Sequence, residues 1–207
     1  MSLLIHGRSS SHFTRVVRVA AHECGVSYGF RPVHDLLSLS AHDYGGNPAL
    51  KLPVLETPEG TWFGALSICR ELVRRSAAPL QWIWPEALND RVAANAQELV
   101  LQGMASEVAW IMRKLAEPEA ADAYFTKTRT SLLNSLEWLE SHLPEALRGL
   151  QREAALGFLE VTAFCFLTHL EFRQLVDTSS YPGLRRFVEA FAQRPSARDT
   201  EYRFDPR

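Results

Sequence analysis

The segment NPALKLPVLETPEGTWF, residues 47–63, determines how the first part of the chain folds. Within it, two short apolar runs at residues 53–55 and 61–63 flank the turn tripeptide Pro58-Glu59-Gly60. Short apolar runs on either side of such a turn predict an antiparallel hairpin. The apolar residues after the hairpin recur at helical spacing and therefore predict a helix. They are Leu66, Cys69, Leu72 and Val73.

Upstream of the hairpin, the pattern predicts a strand, a helix and a second strand. Residues 2–6 form a short apolar run, and residues 26–32 alternate between apolar and polar side chains. The helix spans residues 11–24, with Ser11 suited to its N-cap and Gly25 suited to its C-terminal end. A strand–helix–strand unit implies a parallel pair of strands joined by a crossover helix.

Beyond this region the periodicity is helical. The segment AAPLQWIWP, residues 77–85, has two prolines and no helical charge pattern, which predicts a linker. We therefore expect an α/β domain at residues 1–76 and an all-helical domain at residues 86–207. The predicted helices span about 86–115 with an offset near Gly103, 119–142 ahead of Pro144, 158–173, and 182–193 ahead of Pro195. In the third of them, Gly157 and Glu160 stand at the N-cap and N3 positions of a capping box.

The composition excludes several classes of function. The 207 residues are 46% hydrophobic and 22% charged, which is typical of a packed protein and not of a disordered one. The net charge of −2 provides no basic field for nucleic acid. No apolar run approaches the ~20 residues that span a bilayer. Three cysteines far apart in sequence, without metal-ligand spacing, predict a reduced, cytoplasmic protein that holds no metal.

The order of these elements resembles the cytosolic glutathione S-transferase family, and in particular its bacterial, serine-type members. Five short stretches carry the resemblance: residues 47–55, 59–61, 68–72, 157–160 and 181–196. The resemblance implies a thioredoxin-like N-terminal domain, an all-α C-terminal domain and a homodimer. It also implies glutathione as co-substrate, detoxification of a small-molecule electrophile, and neither a nucleic-acid nor a membrane partner.

By resemblance, Pro53 follows a cis peptide bond. An X–Pro bond gives up the trans form for only about 0.5–1 kcal/mol, so a reversal before a strand is tolerated there. The N–H and C=O of Leu52 would then face outward and bind the cysteinyl part of glutathione, with Lys51 near its glycine carboxylate. Alternatively, Pro53 simply begins an edge strand.

Ser11 is the candidate for stabilising the glutathione thiolate. Lowering a thiol pKa from about 8.5 to about 6.5 requires roughly 2.7 kcal/mol. A helix N-terminus supplies about 0.3–1 kcal/mol and a hydrogen bond to a charged acceptor about 1.5–3 kcal/mol. Ser11 stands where a glutaredoxin-like motif has its leading cysteine, so the resemblance implies donation to the sulfur. Ser9 or Ser10 could take this role instead, or Ser11 could only cap its helix.

One departure from the family concerns the start of the helix after the hairpin. The family has an acidic or amide residue and then a serine at the positions of Gly64 and Ala65. The main-chain N–H groups of Ala65 and Leu66 could still bind a carboxylate at the helix start. The loss of the side chains leaves two functions open: a transferase, or a non-catalytic binding or regulatory protein with weakened glutathione affinity. Isomerisation, dehalogenation and peroxide reduction are subclasses of the first.

The remaining candidates concern the two ligands. Phe13 joins Ser9 among the residues expected to contact glutathione. His12 would add positive charge beside the sulfur, and Arg15 would meet a glutathione carboxylate; a solvated residue on the helix face is the more common situation for both. For the electrophile, the candidates are Met104, Trp110 and Arg113 on the long helix of the second domain, of which the first two could instead belong to the core.

Overall fold

The structure is a computed structural model that describes residues 3–77, 80–116, 123–148, 150 and 155–206. It contains two compact units, Met1–Trp82 with Ala192–Arg207, and Ile83–Phe191. The sequence predicts a division into residues 1–76, 77–85 and 86–207. The structure differs from it at the C-terminus, because Ala192–Arg207 belongs to the first unit. Among the described residues, no helix combines the length and the apolar character that crossing a membrane requires.

The first unit is built on a four-stranded sheet. Its elements are β1 (Leu4–Gly7), α1 (His12–Glu23), β2 (Gly29–Pro32), β3 (Val54–Thr57), β4 (Gly60–Phe63), α2 (Ala65–Arg75) and, after the second unit, α7 (Pro195–Asp199). The strand order is β2-β1-β3-β4, with β1 and β2 parallel and the other two pairs antiparallel. The predicted crossover unit and hairpin are therefore both confirmed.

The core of this unit is apolar and fully enclosed. Ile5 of β1, Val16 of α1, Leu55 of β3 and Leu72 of α2 have no exposed surface. Burying an aliphatic side chain of this size contributes about 1.5–3 kcal/mol, and this burial holds the two helices to the sheet.

The second unit is helical. It contains α3 (Arg91–Ala116), α4 (Ala123–Arg148), β6 (Ala155–Gly157), α5 (Phe158–Arg173) and α6 (Pro182–Phe191), and β5 (Gln81–Ile83) lies at the boundary of the units. The predicted capping box is present, since the Glu160 carboxylate accepts a hydrogen bond from the Gly157 N–H at 2.6 Å. The predicted bounds of α5 are also confirmed.

Helix bounds in this unit differ from the prediction at the start of α3 and the end of α4, and α6 ends at Phe191, two residues before the predicted end. α3 begins at Arg91 because the Asp90 carboxylate accepts hydrogen bonds from the N–H groups of Val92 and Ala93 at 2.9 and 3.0 Å. α4 continues through Pro144 to Arg148, although a proline forfeits one helical hydrogen bond. The start predicted for α4 at residue 119 lies outside the described residues.

Three further expectations need correction. α3 is one continuous helix through Gly103, and a Cβ there would lie 2.6 Å from the ring of Phe166, so glycine allows close helix packing. The segment predicted as a linker contains β5. Helix α7 was not predicted, because Pro195 was interpreted as a stop and instead opens a new helix at N1.

Candidate functional site

Three consecutive serines lie between β1 and α1, and the structure leaves Ser11 partly exposed. The Ser11 N–H donates to the Arg8 C=O at 3.0 Å, closing a four-residue turn, and the Ser11 side chain then caps α1. The side chains differ in exposure: Ser9 and Ser10 are only 1% and 6% exposed, whereas Ser11 is half-buried. Of the three candidate hydroxyls, that of Ser11 is the most accessible to a ligand.

The Ser11 hydroxyl accepts a hydrogen bond and still has its proton to donate. Its Oγ accepts from the Thr14 N–H at 3.3 Å, which confirms the capping interpretation. A hydroxyl has one donor and two acceptor sites, so capping leaves the O–H available. No acidic residue lies in the first turn of α1, so the positive end of the helix dipole is not neutralised there. The two roles proposed for Ser11 are therefore compatible.

Thr14 and Gly7 hold this turn together. The Thr14 hydroxyl accepts a hydrogen bond from the Arg8 N–H at 3.3 Å, while the Thr14 N–H donates to the Ser11 hydroxyl. Gly7 passes directly beside it, and a Cβ at Gly7 would lie 2.5 Å from the Thr14 methyl group. Glycine at this position therefore lets the end of β1 approach the first turn of α1.

The peptide bond between Leu52 and Pro53 is cis, as expected. In the part of the chain that the structure describes, neither the N–H nor the C=O of Leu52 is hydrogen-bonded. Asn47 holds the preceding loop: its amide oxygen accepts from the Ala49 N–H at 3.0 Å and its amide nitrogen donates to the Lys51 C=O at 2.8 Å. The Lys51 side chain is exposed.

The conformation at the start of α2 explains why glycine stands at position 64. Gly64 is the N-cap and has a φ of +80°, which residues with a side chain rarely adopt. The first N–H groups of α2, including those of Ala65 and Leu66, have no acceptor within the helix. The first turn contains no acidic residue. This helix start can receive an anion through its main chain but not through a side chain.

Two residues of α1 are not the solvated residues that the alternative interpretation assumed. His12 is 1% exposed and packs beside the Phe13 ring, with a centroid distance of 4.7 Å. Arg15 is 4% exposed, and its guanidinium donates to the Ala197 C=O at 2.9 Å. Because the Arg15 guanidinium is bound to the Ala197 C=O, its assignment to a glutathione carboxylate is not supported.

The candidates for the electrophile lie on α3. Met104 is fully buried, which favours the core interpretation for it. Trp110 is 7% exposed and packs edge-on against Phe125, while Arg113 is half-buried. The charged ends of two further residues, Lys114 and Arg129, lie over the indole ring at 5.5 and 5.6 Å.

Two residues that shape this region were missed in the sequence. Asn47 precedes Pro48, and its side chain accepts a hydrogen bond from the N–H of Ala49, two residues later. This is a local turn contact of asparagine, so the sequence could have indicated it. Asp205 accepts a hydrogen bond from the Ser9 N–H at 2.8 Å, across 196 residues of chain. No local pattern indicates a contact at that separation.

Comparison with known proteins identifies the N-terminal domain. Residues 10–75 match the sequence profile of the glutathione S-transferase N-terminal domain. No protein of curated function matches the sequence.

Solved structures show the fold of the whole chain. It is similar to a glutathione S-transferase from Methylobacillus flagellatus KT with glutathione bound, at 23% identity and a TM-score of 0.76, over 98% of this chain and 100% of that one. It is also similar to a glutathione transferase family member from Pseudomonas fluorescens Pf-5 with bound glutathione, at 20% identity, a TM-score of 0.76 and the same two coverages. A glutathione S-transferase from Methylobacterium radiotolerans in complex with glutathione sulfonate has 18% identity and a TM-score of 0.74, over 100% of this chain and 98% of that one. Residues 10–75 are therefore a glutathione S-transferase N-terminal domain, and the likeness to these solved structures shows that the chain has the glutathione S-transferase fold.

Proposed function

We propose that this protein binds glutathione and uses the Ser11 hydroxyl to hold its sulfur as a thiolate for attack on a small hydrophobic electrophile. The observation that carries the proposal is the half-buried Ser11 at the N-cap of α1, whose oxygen accepts from Thr14 and whose proton is available to the sulfur. Glutathione bound to structural relatives supports the choice of ligand.

The rest of the tripeptide finds matching groups in the first unit. The main-chain N–H and C=O of Leu52 can pair with the extended cysteinyl residue, as one strand pairs with another. Lys51 is exposed and can approach one carboxylate, and the open N–H groups at the start of α2 can receive the other. Phe13, half-buried beside the cap, offers an apolar contact.

The affinity for glutathione should be modest, because Gly64 and Ala65 provide no side chain for the γ-glutamyl end. A missing charge-assisted hydrogen bond of about 1.5–3 kcal/mol corresponds to a ten- to over a hundred-fold loss of affinity. This same observation favours the second candidate function, a binding or regulatory protein that no longer activates the thiol.

A titration with glutathione, followed by calorimetry, tests the first function. We expect binding in the micromolar to low-millimolar range, and turnover of an activated aryl halide as probe electrophile. Ser11→Gly should lower turnover by at least about tenfold, because a hydrogen bond to the charged sulfur is lost. Ser11→Thr, which keeps the hydroxyl, is the matched control and should retain most of the activity.

Glycine is the preferred replacement, since it costs an N-cap only a few tenths of a kcal/mol whereas alanine costs about 0.5–2. Absence of binding at several millimolar glutathione would contradict the proposal. The second candidate function would be supported instead if wild type binds glutathione without turnover and Ser11→Gly leaves the affinity for glutathione unchanged.

We also propose a homodimer in a reducing, cytoplasmic environment, and sedimentation velocity would check the oligomeric state. All three cysteines are buried and none forms a disulfide. Burial raises the pKa of the Cys24 thiol and so disfavours its thiolate form. A protein with such thiols needs no oxidising compartment.

A further inference from the structure

Both main-chain groups of Ser9 are bound by the C-terminal segment, which we define as residues 197–205. The Ser9 N–H donates to the Asp205 carboxylate at 2.8 Å, and the Arg203 N–H donates to the Ser9 C=O at 3.5 Å. Ser9 is the second residue of the turn that ends at Ser11. The C-terminal segment therefore holds this turn on the side that precedes the N-cap.

The same segment is fastened to α1 on the other side of Ser11. The Arg15 guanidinium donates to the Ala197 C=O at 2.9 Å and to the Thr200 hydroxyl at 3.5 Å. It also lies over the ring of Tyr202, 4.3 Å from the centroid. Arg15 is one helical turn after Ser11, so the N-cap stands between two attachments of one segment.

These attachments affect which of the three consecutive serines occupies the N-cap of α1. A displacement of the turn by one residue would bring Ser10 to the N-cap and remove the Ser11 hydroxyl from it. Such a displacement would break the hydrogen bond between Asp205 and the Ser9 N–H.

We propose that the C-terminal segment positions the Ser11 hydroxyl, with Asp205 as the positioning residue that sets the register of the turn; the catalytic consequence rests on the proposed function. In this role Asp205 acts through the Ser9 N–H, and no contact with glutathione is needed. Its carboxylate serves as an acceptor: a negative charge near the sulfur would oppose the thiolate, so the charge itself is not the useful property.

The test compares three variants. Asp205→Ala removes the acceptor, and Asp205→Asn keeps an acceptor oxygen without the charge. Asp199→Ala is the matched control, because Asp199 also joins the C-terminal segment to α1, through His22 at 2.8 Å, but at the far end of the helix. Amide hydrogen exchange is measured without ligand, and the thiol pKa is measured with glutathione bound.

Asp205→Ala should accelerate exchange of the Ser9 and Ser11 amides by at least about tenfold and raise the thiol pKa by about one unit. Asp205→Asn and Asp199→Ala should remain close to wild type in both measurements. In the Asp205→Ala background, Ser11→Gly should change the thiol pKa less than it does in wild type, because the two residues act on the same hydrogen bond.

Two results would overturn the inference. One is unchanged exchange at Ser9 and Ser11 in Asp205→Ala. The other is faster exchange with an unchanged thiol pKa and an undiminished effect of Ser11→Gly, which is the behaviour of a merely structural contact. If wild type does not bind glutathione, the proposed function fails, while the exchange measurement still decides whether Asp205 holds the turn.

Discussion

Ser9 and Ser11 are two residues apart and have opposite environments. The Ser9 Oγ is buried without a hydrogen-bond partner in the described part of the chain, whereas the Ser11 Oγ caps α1 and is half-buried. A buried hydroxyl without a partner loses its hydration and gains nothing in return. Identical side chains therefore contribute differently to stability and to the site.

Ser9→Ala should leave the free energy of unfolding unchanged or raise it by up to about 1 kcal/mol, because it removes an unsatisfied polar group. Urea unfolding followed by circular dichroism measures the change. A loss of more than about 1 kcal/mol would show that the hydroxyl has a partner in solution, such as a bound water.

At the scale of the element, the start of α5 depends on a single side chain. Glu160 accepts a hydrogen bond from the Gly157 N–H at 2.6 Å, and Gly157 offers no side chain in return. Glu160→Ala should cost about 0.5–2 kcal/mol of stability without changing the thiol chemistry of the folded protein. Glu145→Ala, an exposed change on α4, is the control and should stay within about 0.5 kcal/mol. A stable but inactive Glu160→Ala would refute this structural role.

Helix α7 is attached to the end of α1 by an ionic contact. Arg194 donates to both carboxylate oxygens of Glu23 at 2.8 Å, and the Ser196 hydroxyl donates at 2.5 Å. Burial raises the pKa of the Glu23 carboxyl, but the hydrogen bonds from Arg194 and Ser196 outweigh it and hold the pKa below its ordinary value of 4.5.

Because the folded-state pKa is lowered, this contact stabilises the protein fully above 4.5, and the stabilisation is lost as the pH falls below 4.5 through the folded-state value. Glu23→Gln should cost about 1–3 kcal/mol at neutral pH, and less as the carboxyl of wild type becomes protonated. Urea unfolding of both proteins across this range measures the difference. A difference independent of pH would contradict the ionic role of Glu23.

At the scale of the molecule, short-range signals were enough for most of the fold. The hairpin turn, the N-cap at Ser11 and the glycine after α1 each act within a few residues, so the sequence carries them directly. The helix end predicted ahead of Pro144 is wrong. The buried neighbours Leu143 and Ala146 keep α4 packed where a proline weakens it, so the helix continues.

The candidate site was predictable only in part. Ser11 and the loop before Pro53 are local features. The roles of Arg15 and Asp205 depend on contacts across 182 and 196 residues, and no periodicity or spacing reveals such partners. For the same reason the sequence placed residues 192–207 with the second domain, while the structure packs them with the first unit.

The most direct test of the proposed function is the thiol pKa of glutathione bound to the protein, followed by the ultraviolet absorbance of the thiolate across pH. On wild type we expect this pKa to lie about one to two units below the value of about 8.5 for a free thiol. On Ser11→Gly it should return most of the way toward that value, whereas Ser11→Thr should resemble wild type. A thiol pKa on saturated wild type equal to that of free glutathione would contradict the assignment of Ser11.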